Sequence, residues 1–173
     1  EMPFDSLFRH GFVRVAVGAP KVRVADPETN VAATLALAHR ACESGAALAV
    51  FPELGLSSFS AEDLFHQQVL LDTVQVALAE LVDASSGLDC ALVVGAPFVQ
   101  RGHLFNCAVV VHRGSIAGVV PNSYLPAYRE YYEKRQFAAA RDALDSELTL
   151  LGQRVPFGSD LLFSASGIEH LVF

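Results

Sequence analysis

A carboxylate sits behind a proline at the end of an apolar run, and it is the first place in this sequence to look for chemistry. Ala47 to Phe51 is wholly apolar, Pro52 follows, and Glu53 comes next. The run has the character of a buried strand, and Pro52 ends it because proline cannot donate to a sheet ladder. Glu53 then lies at the carboxyl edge of a strand, where open α/β folds gather their ligands. A glutamate held there against apolar walls is suited to general-base work. A solvated loop carboxylate is the bland alternative, and the stretch alone does not choose between them. A second stretch has the same layout. The run ending at Val120 meets Pro121, and a polar loop to Gln136 follows, rich in tyrosine and in charges of both signs. Two such loops at strand ends can share one rim of a sheet.

Nucleophiles are scarce. Cys42, Cys90 and Cys107 are the only cysteines, too few and too scattered for a disulfide framework. Cys42 falls on the apolar stripe of a helix, Cys90 opens a strand and Cys107 lies mid-strand. Each reads as a free, buried thiol that packs as a small hydrophobe. No CxxC pair occurs and no two histidines stand at helical ligand spacing, so no metal site is expected. The formal net charge is −7, from 12 basic and 19 acidic side chains. Arg129, Lys134 and Arg135 are interleaved with Glu130 and Glu133, which disfavours nucleic acid as a partner. The sequence shows neither a basic-then-apolar leader nor an apolar run of membrane-spanning length. A cytoplasmic, reduced, soluble protein is the expectation.

The elements that must position the two loops follow from pattern. Gly11 to Ala19 alternates as a strand. Asp26-Pro27-Glu28 opens a helix, with aspartate as cap and proline at the first helical position. Val31, Leu35, Ala38 and Cys42 form its buried stripe, and Gly45 ends it. Strand, helix and strand in that order imply a parallel crossover and an α/β fold. A second helix is expected from a Ser60 cap with Asp63 closing a capping box, running through Leu70, Val74, Leu78 and Leu81. Cys90 to Ala96 reads as a buried strand stopped by Pro97. Leu104–His112 and Ser115–Val120 read as a hairpin turning at Arg113-Gly114. Residues 137–147, rich in alanine and charge, read as helix-leaning or mobile. Leu148–Val155 and Leu161–Ser166 read as strands about a turn at residues 156–160. His170 to Phe173 begins another strand. An apolar strand with no partner or cap makes an unsuitable terminus, so the expectation is one partial domain over residues 1–173.

The motifs together resemble a known family. FPEL after a strand, with a later strand ending at a Pro-Lys-like position, is similar to the nitrilase (carbon–nitrogen hydrolase) superfamily. The longer runs LSSFSAEDLF and VVPNSYLPAYREYYEKRQF resemble the N-terminal glutaminase domains of glutamine-dependent NAD⁺ synthetases, and the likeness extends from about Phe12 to Phe173. The resemblance implies a four-layer α-β-β-α sandwich, of which this chain holds the first half or more. It implies glutamine hydrolysis supplying ammonia to a C-terminal, ATP- and Mg²⁺-dependent domain that converts deamido-NAD⁺ to NAD⁺. That domain is absent from this chain, which carries no glycine-rich phosphate loop. A homo-oligomer is implied as well.

Carried over by position, the family's general base is Glu53. Its lysine, which stabilises the oxyanion of the tetrahedral intermediate, falls on Asn122. Its nucleophilic cysteine falls shortly after Phe173. Tyr128 matches a tyrosine that contacts bound glutamine, Glu133 a second acidic residue near the site, and Phe59 a position usually held by tyrosine. Asn122 supplies no positive charge, and losing an oxyanion donor costs on the order of a hundred- to thousand-fold in rate. The chain by itself is therefore expected to be inactive. Two alternatives stay open: another nitrilase-type amidase or carbamoylase, and a degenerate nitrilase-like module without catalysis.

Overall fold

The computed structural model describes residues 6–125, 133–165 and 172–173, with the side chains of 133 and 134 left aside. The described residues form strands and α-helices in the order β1 (Val15–Val17), α1 (Pro27–Glu43), β2 (Leu48–Val50), α2 (Gln68–Ala84), β3 (Ala91–Gln100), β4 (His103–His112), β5 (Ser115–Pro121), α3 (Glu133–Gln136), β6 (Glu147–Leu150) and β7 (Gln153–Pro156). The first five strands form one sheet in the order β1-β2-β3-β4-β5, and β6 and β7 pair as a separate hairpin. β1, β2 and β3 run parallel through the α1 and α2 crossovers, whereas β3, β4 and β5 form an antiparallel meander. The sheet is mixed, and the fold is α/β.

The local chemistry explains most of these elements. Asp26 caps α1 by accepting a hydrogen bond from the Thr29 amide at 3.1 Å, and Pro27 takes the first helical position. Gly45, at φ +78°, reverses the chain after α1 as a left-handed residue should. Arg113 and Gly114, with φ of 45° and 77°, make the two-residue turn whose twist matches the flanking strands. The helices α1 and α2 touch each other and both reach the sheet, so they cover the same side. Ala49, Leu92, Val94, Val109 and Val119, on one face by register, are sealed. The opposite face is open at its β1 edge, where Val15 and Val17 are 52% and 85% exposed. Val50, Val93, Ala108 and Val120 on that face are half-buried.

Several expectations are corrected. The second helix does not begin at Ser60. Residues 59–66 form a 3₁₀ segment capped by Ser58, whose hydroxyl accepts from the Ser60 amide, and the α-helix starts at Gln68. The break is at Glu62, where φ is +47° and ψ is −122°. β3 runs through Pro97 to Gln100 instead of stopping. Ala91 donates to Ala47, and Val93 and Gly95 accept from Phe51 and Leu56, so odd-numbered residues bond on the β2 side. Pro97 shares that parity. Its missing N–H faces the side where β2 has already ended, so no ladder bond is lost. The run from Leu148 to Val155 is a hairpin that turns at Leu151-Gly152 (φ 50° and 75°) rather than one strand. In place of a helix, residues 137–147 hold a short 3₁₀ turn, Ala140–Asp142, and a bridge from Ala138 to Phe105, and Glu147 already opens β6. Of the expected strand Leu161–Ser166, Ser166 lies outside the described residues; Ser164 forms a bridge with Val172, and Phe163 and Phe173 exchange backbone hydrogen bonds of 2.7 and 2.9 Å.

The cysteine expectation is also overturned. Cys42, near the end of α1, and Cys90, just before β3, are joined in a disulfide with Cα atoms 5.4 Å apart. The α/β crossover brings together two positions 48 residues apart in sequence, which no local spacing could announce. Cys107 alone is a free, buried thiol.

Candidate active site

The loop that carries Glu53 is fixed from beneath. Phe51 extends the β2 pairing by donating to Val93 at 2.9 Å, then Gly55 donates back to Pro52 at 3.1 Å and Leu56 to Gly95 at 3.2 Å. This tight turn forces Leu54 to φ +52°, a conformation that an L-residue adopts at some cost. The turn also lies almost on the backbone of β3. A Cβ at Gly95 would stand 2.3 Å from the Leu54 nitrogen and 2.7 Å from the Pro52 oxygen. Glycine at 95 is therefore a requirement of the loop. From the other side, buried Asn30 on α1 donates to the Leu56 carbonyl at 3.1 Å and the Arg23 carbonyl at 2.8 Å. Glu53 rides at the exposed apex of this loop. Among the described residues it is exposed rather than enclosed.

Asn122 is presented by the end of β5. Its amide donates to the Asn106 carbonyl at 2.8 Å and its carbonyl accepts from Ala140 at 2.9 Å. Its side-chain oxygen accepts from the Tyr124 amide at 3.1 Å, the self-contained turn that asparagine favours. The side-chain nitrogen is left to reach outwards, and it donates to Glu53 Oε1 at 2.9 Å. A third residue completes the cluster. Asn106 Nδ2, from the buried interior of β4, donates to the same Oε1 at 2.6 Å. Two neutral amides thus converge on one carboxylate oxygen. Among the described residues no cation forms an ion pair with Glu53.

The two loops do share one rim. Besides the Glu53–Asn122 contact, Gln136 Nε2 donates to Asp63 Oδ1 at 3.0 Å and Arg135 pairs with the same oxygen at 3.4 Å. Phe65 and Phe137 meet edge-on with centroids 5.0 Å apart. Phe59 opens the 3₁₀ segment at 40% exposure. Tyr128 lies outside the described residues. Glu133 is the first residue of α3, and its side chain is likewise outside them. Asn106 and Gly95 were not singled out as site residues from the sequence. The signal for Asn106 was a lone amide inside the apolar run of β4, between Phe105 and Cys107.

Cys42 and Cys90 are consumed in their disulfide, and burial pushes the Cys107 thiol well above its ordinary range, which makes it a poor source of thiolate. Among the described residues no three His, Cys, Asp or Glu side chains gather to hold a metal ion. No described helix is long and apolar enough to cross a membrane.

The parallel β-α-β-α-β start turns into an antiparallel meander, and the glutamate after β2 faces the residue after β5. The carbon–nitrogen hydrolase family profile matches residues 14–154, and the chain belongs to that family. Within it, the chain is similar to the glutamine-dependent NAD(+) synthetase of Mycobacterium tuberculosis, 49% identical over 171 residues, 99% of this chain and 25% of that protein. The synthetase of Mycobacterium leprae is 44% identical over the same shares. The chain thus spans about a quarter of the length of these curated relatives. Among solved structures, a glutamine-dependent NAD(+) synthetase from Cytophaga hutchinsonii superposes with a TM-score of 0.81 at 24% identity, over 89% of this chain and 26% of that one. An amidase of the nitrilase superfamily from Nesterenkonia AN1 superposes at 0.63 with 22% identity, over 80% of this chain and 51% of that one. Both likenesses are of fold.

Proposed function

We propose that this chain is part of the glutaminase domain of a glutamine-dependent NAD⁺ synthetase, with Glu53 as its general base. The observation that carries the reading is the 2.9 Å contact between Glu53 and Asn122. Two loops 69 positions apart in sequence bring a carboxylate and the residue at the family lysine's position together, so that both can face one substrate. In the reaction, a cysteine thiol gives its proton to Glu53 and the thiolate attacks the side-chain amide carbon of glutamine. The tetrahedral intermediate collapses, the C–N bond breaks, and the proton held by Glu53 leaves with ammonia. Water then cleaves the thioester, giving glutamate and restoring the thiol. Since none of the cysteines here is competent, the nucleophile belongs to chain outside residues 1–173, and these residues alone are inactive.

Tyr128, Glu133 and Phe59 are the glutamine contacts on this reading. The complete domain is a four-layer α-β-β-α sandwich. The open sheet face with exposed Val15 and Val17 is the surface on which a second sheet packs. ATP, Mg²⁺ and deamido-NAD⁺ belong to a further C-terminal domain. Among the described residues no three His, Cys, Asp or Glu side chains gather to hold Mg²⁺. A homo-oligomer working in the cytoplasm completes the reading.

The second reading, a module kept for assembly without catalysis, is favoured by one residue. Asn122 donates a hydrogen bond but brings no charge to a developing oxyanion. Glutamate release by the full-length protein, with Asn122 and with Asn122→Lys, tests both. The glutaminase reading expects a gain on the order of a hundred-fold or more with lysine, the reverse of losing one oxyanion donor. Activity equal in the two forms would remove residue 122 from the site, and absence of activity in both would favour the non-catalytic module.

A further inference from the structure

Asn106 does two things at once. Its side chain, 2% exposed within β4, donates through Nδ2 to Glu53 Oε1 at 2.6 Å. Its main-chain carbonyl accepts the Asn122 amide at 2.8 Å. One residue thereby holds the carboxylate and the backbone of position 122, and it sits on a strand that the sheet fixes from both sides. Glu53 needs such a hold. It is exposed at the apex of a turn, and a glutamate side chain there has several rotamers open to solvent. Asn122 alone is a weak restraint, because it lies on the rim, is only half-buried and is itself held in place by Asn106. A buried amide aimed at a carboxylate makes a charge-assisted bond that shields poorly from water only at its outer end. Its cost if the carboxylate leaves is also high, since a buried N–H would lose its partner.

We infer that Asn106 is a positioning residue that fixes Glu53 in register with residue 122, so that base and oxyanion donor face one substrate atom. The inference rests on the reading of Glu53 as the base. It extends the set of residues needed for glutamine hydrolysis to one that touches neither substrate nor nucleophile. A residue of this kind acts on kcat far more than on KM, because it orients a group used in the reaction rather than a group that binds glutamine.

The test uses the full-length protein, in parent and Asn122→Lys forms, with Asn106→Leu, Asn106→Asp and Glu53→Gln. Leucine keeps the volume and removes the donor; aspartate keeps the shape and turns the donor into a like charge. Crystal structures of the Asn106 variants are expected to show the Glu53 carboxylate swung away from residue 122. Glutamate release is expected to fall about ten- to a hundred-fold in kcat for Asn106→Leu, the loss of one charge-assisted hydrogen bond, and further for Asn106→Asp, with KM within about two-fold of the parent. A Glu53 carboxylate that stays within hydrogen-bond reach of residue 122 in both variants would overturn the inference. So would an unchanged kcat in a protein that Glu53→Gln inactivates. If Glu53→Gln retains full activity, the reading of Glu53 as base fails instead, and the structures still decide whether Asn106 positions it.

Discussion

Replacing Gly95 by alanine should disturb the loop that presents Glu53 more directly than any other single methyl group. The added Cβ would stand 2.3 Å from the Leu54 nitrogen, 2.7 Å from the Pro52 oxygen and 2.8 Å from the Glu53 carbonyl carbon. All three are main-chain atoms, so no side chain can rotate to make room. Either the loop lifts from β3 or the strand bows, and the Leu56–Gly95 hydrogen bond of 3.2 Å lies directly in the way. Overpacking of this kind costs about 1–3 kcal/mol, and a backbone hydrogen bond lost with it adds about 1 kcal/mol. With roughly 2–4 °C of Tm per kcal/mol in a domain of this size, the variant should melt about 4–16 °C lower. Gly87→Ala is the matched control, since nothing lies within 4 Å of a Cβ there. Thermal melts of the full-length variants, followed by glutamate release from those that remain folded, give both readouts. A Gly95→Ala protein that melts beside the Gly87→Ala control, with unchanged hydrolysis, would refute the close approach of the loop to β3.

Other outcomes follow from the same contacts. Peptide mapping without reductant should recover Cys42 and Cys90 in one linked pair and Cys107 alkylated only after unfolding; free alkylation of Cys42 in the native protein would contradict the pairing. Asp26 is held below the ordinary carboxyl value of 3.8, chiefly by the side-chain hydrogen bond with Thr29. Its contribution to stability is therefore present above that value and lost as pH falls through and below it, so Asp26→Ala should lower Tm near neutral pH and converge on the parent in strong acid. Asp145, lowered by its hydrogen bond to Arg101, has the same sign, and Asp145→Asn should show the same convergence in acid melts. Phe157→Ala removes a ring packed edge-on against Phe105 at 5.6 Å and should cost about 3–5 kcal/mol in denaturant titrations, as large aromatic deletions do.

What could be read in the sequence was local. Asp26-Pro27 announced α1, Arg113-Gly114 announced the β4–β5 turn, and Pro52-Glu53 and Pro121-Asn122 announced two loops at strand ends. Each of these is a property of neighbouring residues. The misreadings concern choices that neighbours do not make. Ser58 and Ser60 are equally good caps on paper, and the unusual backbone at Glu62 decides that the α-helix waits until Gln68. Pro97 looks like a terminator until β2 is seen to end beside it. The disulfide and the Asn106–Glu53 bond join residues 48 and 53 positions apart, through a sheet order that the sequence left open. Glu53 was found by its motif, but the group that holds it was not, because a lone asparagine in a strand is informative only once its partner is known.

The account stands most directly on Glu53 acting as the base opposite residue 122. The measurement is kcat for glutamate release by the full-length Asn122→Lys protein, with and without Glu53→Gln. Loss of a general base of this kind should lower kcat by about a hundred-fold or more, with the fold unchanged in a thermal melt. Glutamine hydrolysis that proceeds at the same rate without the Glu53 carboxylate would contradict the account.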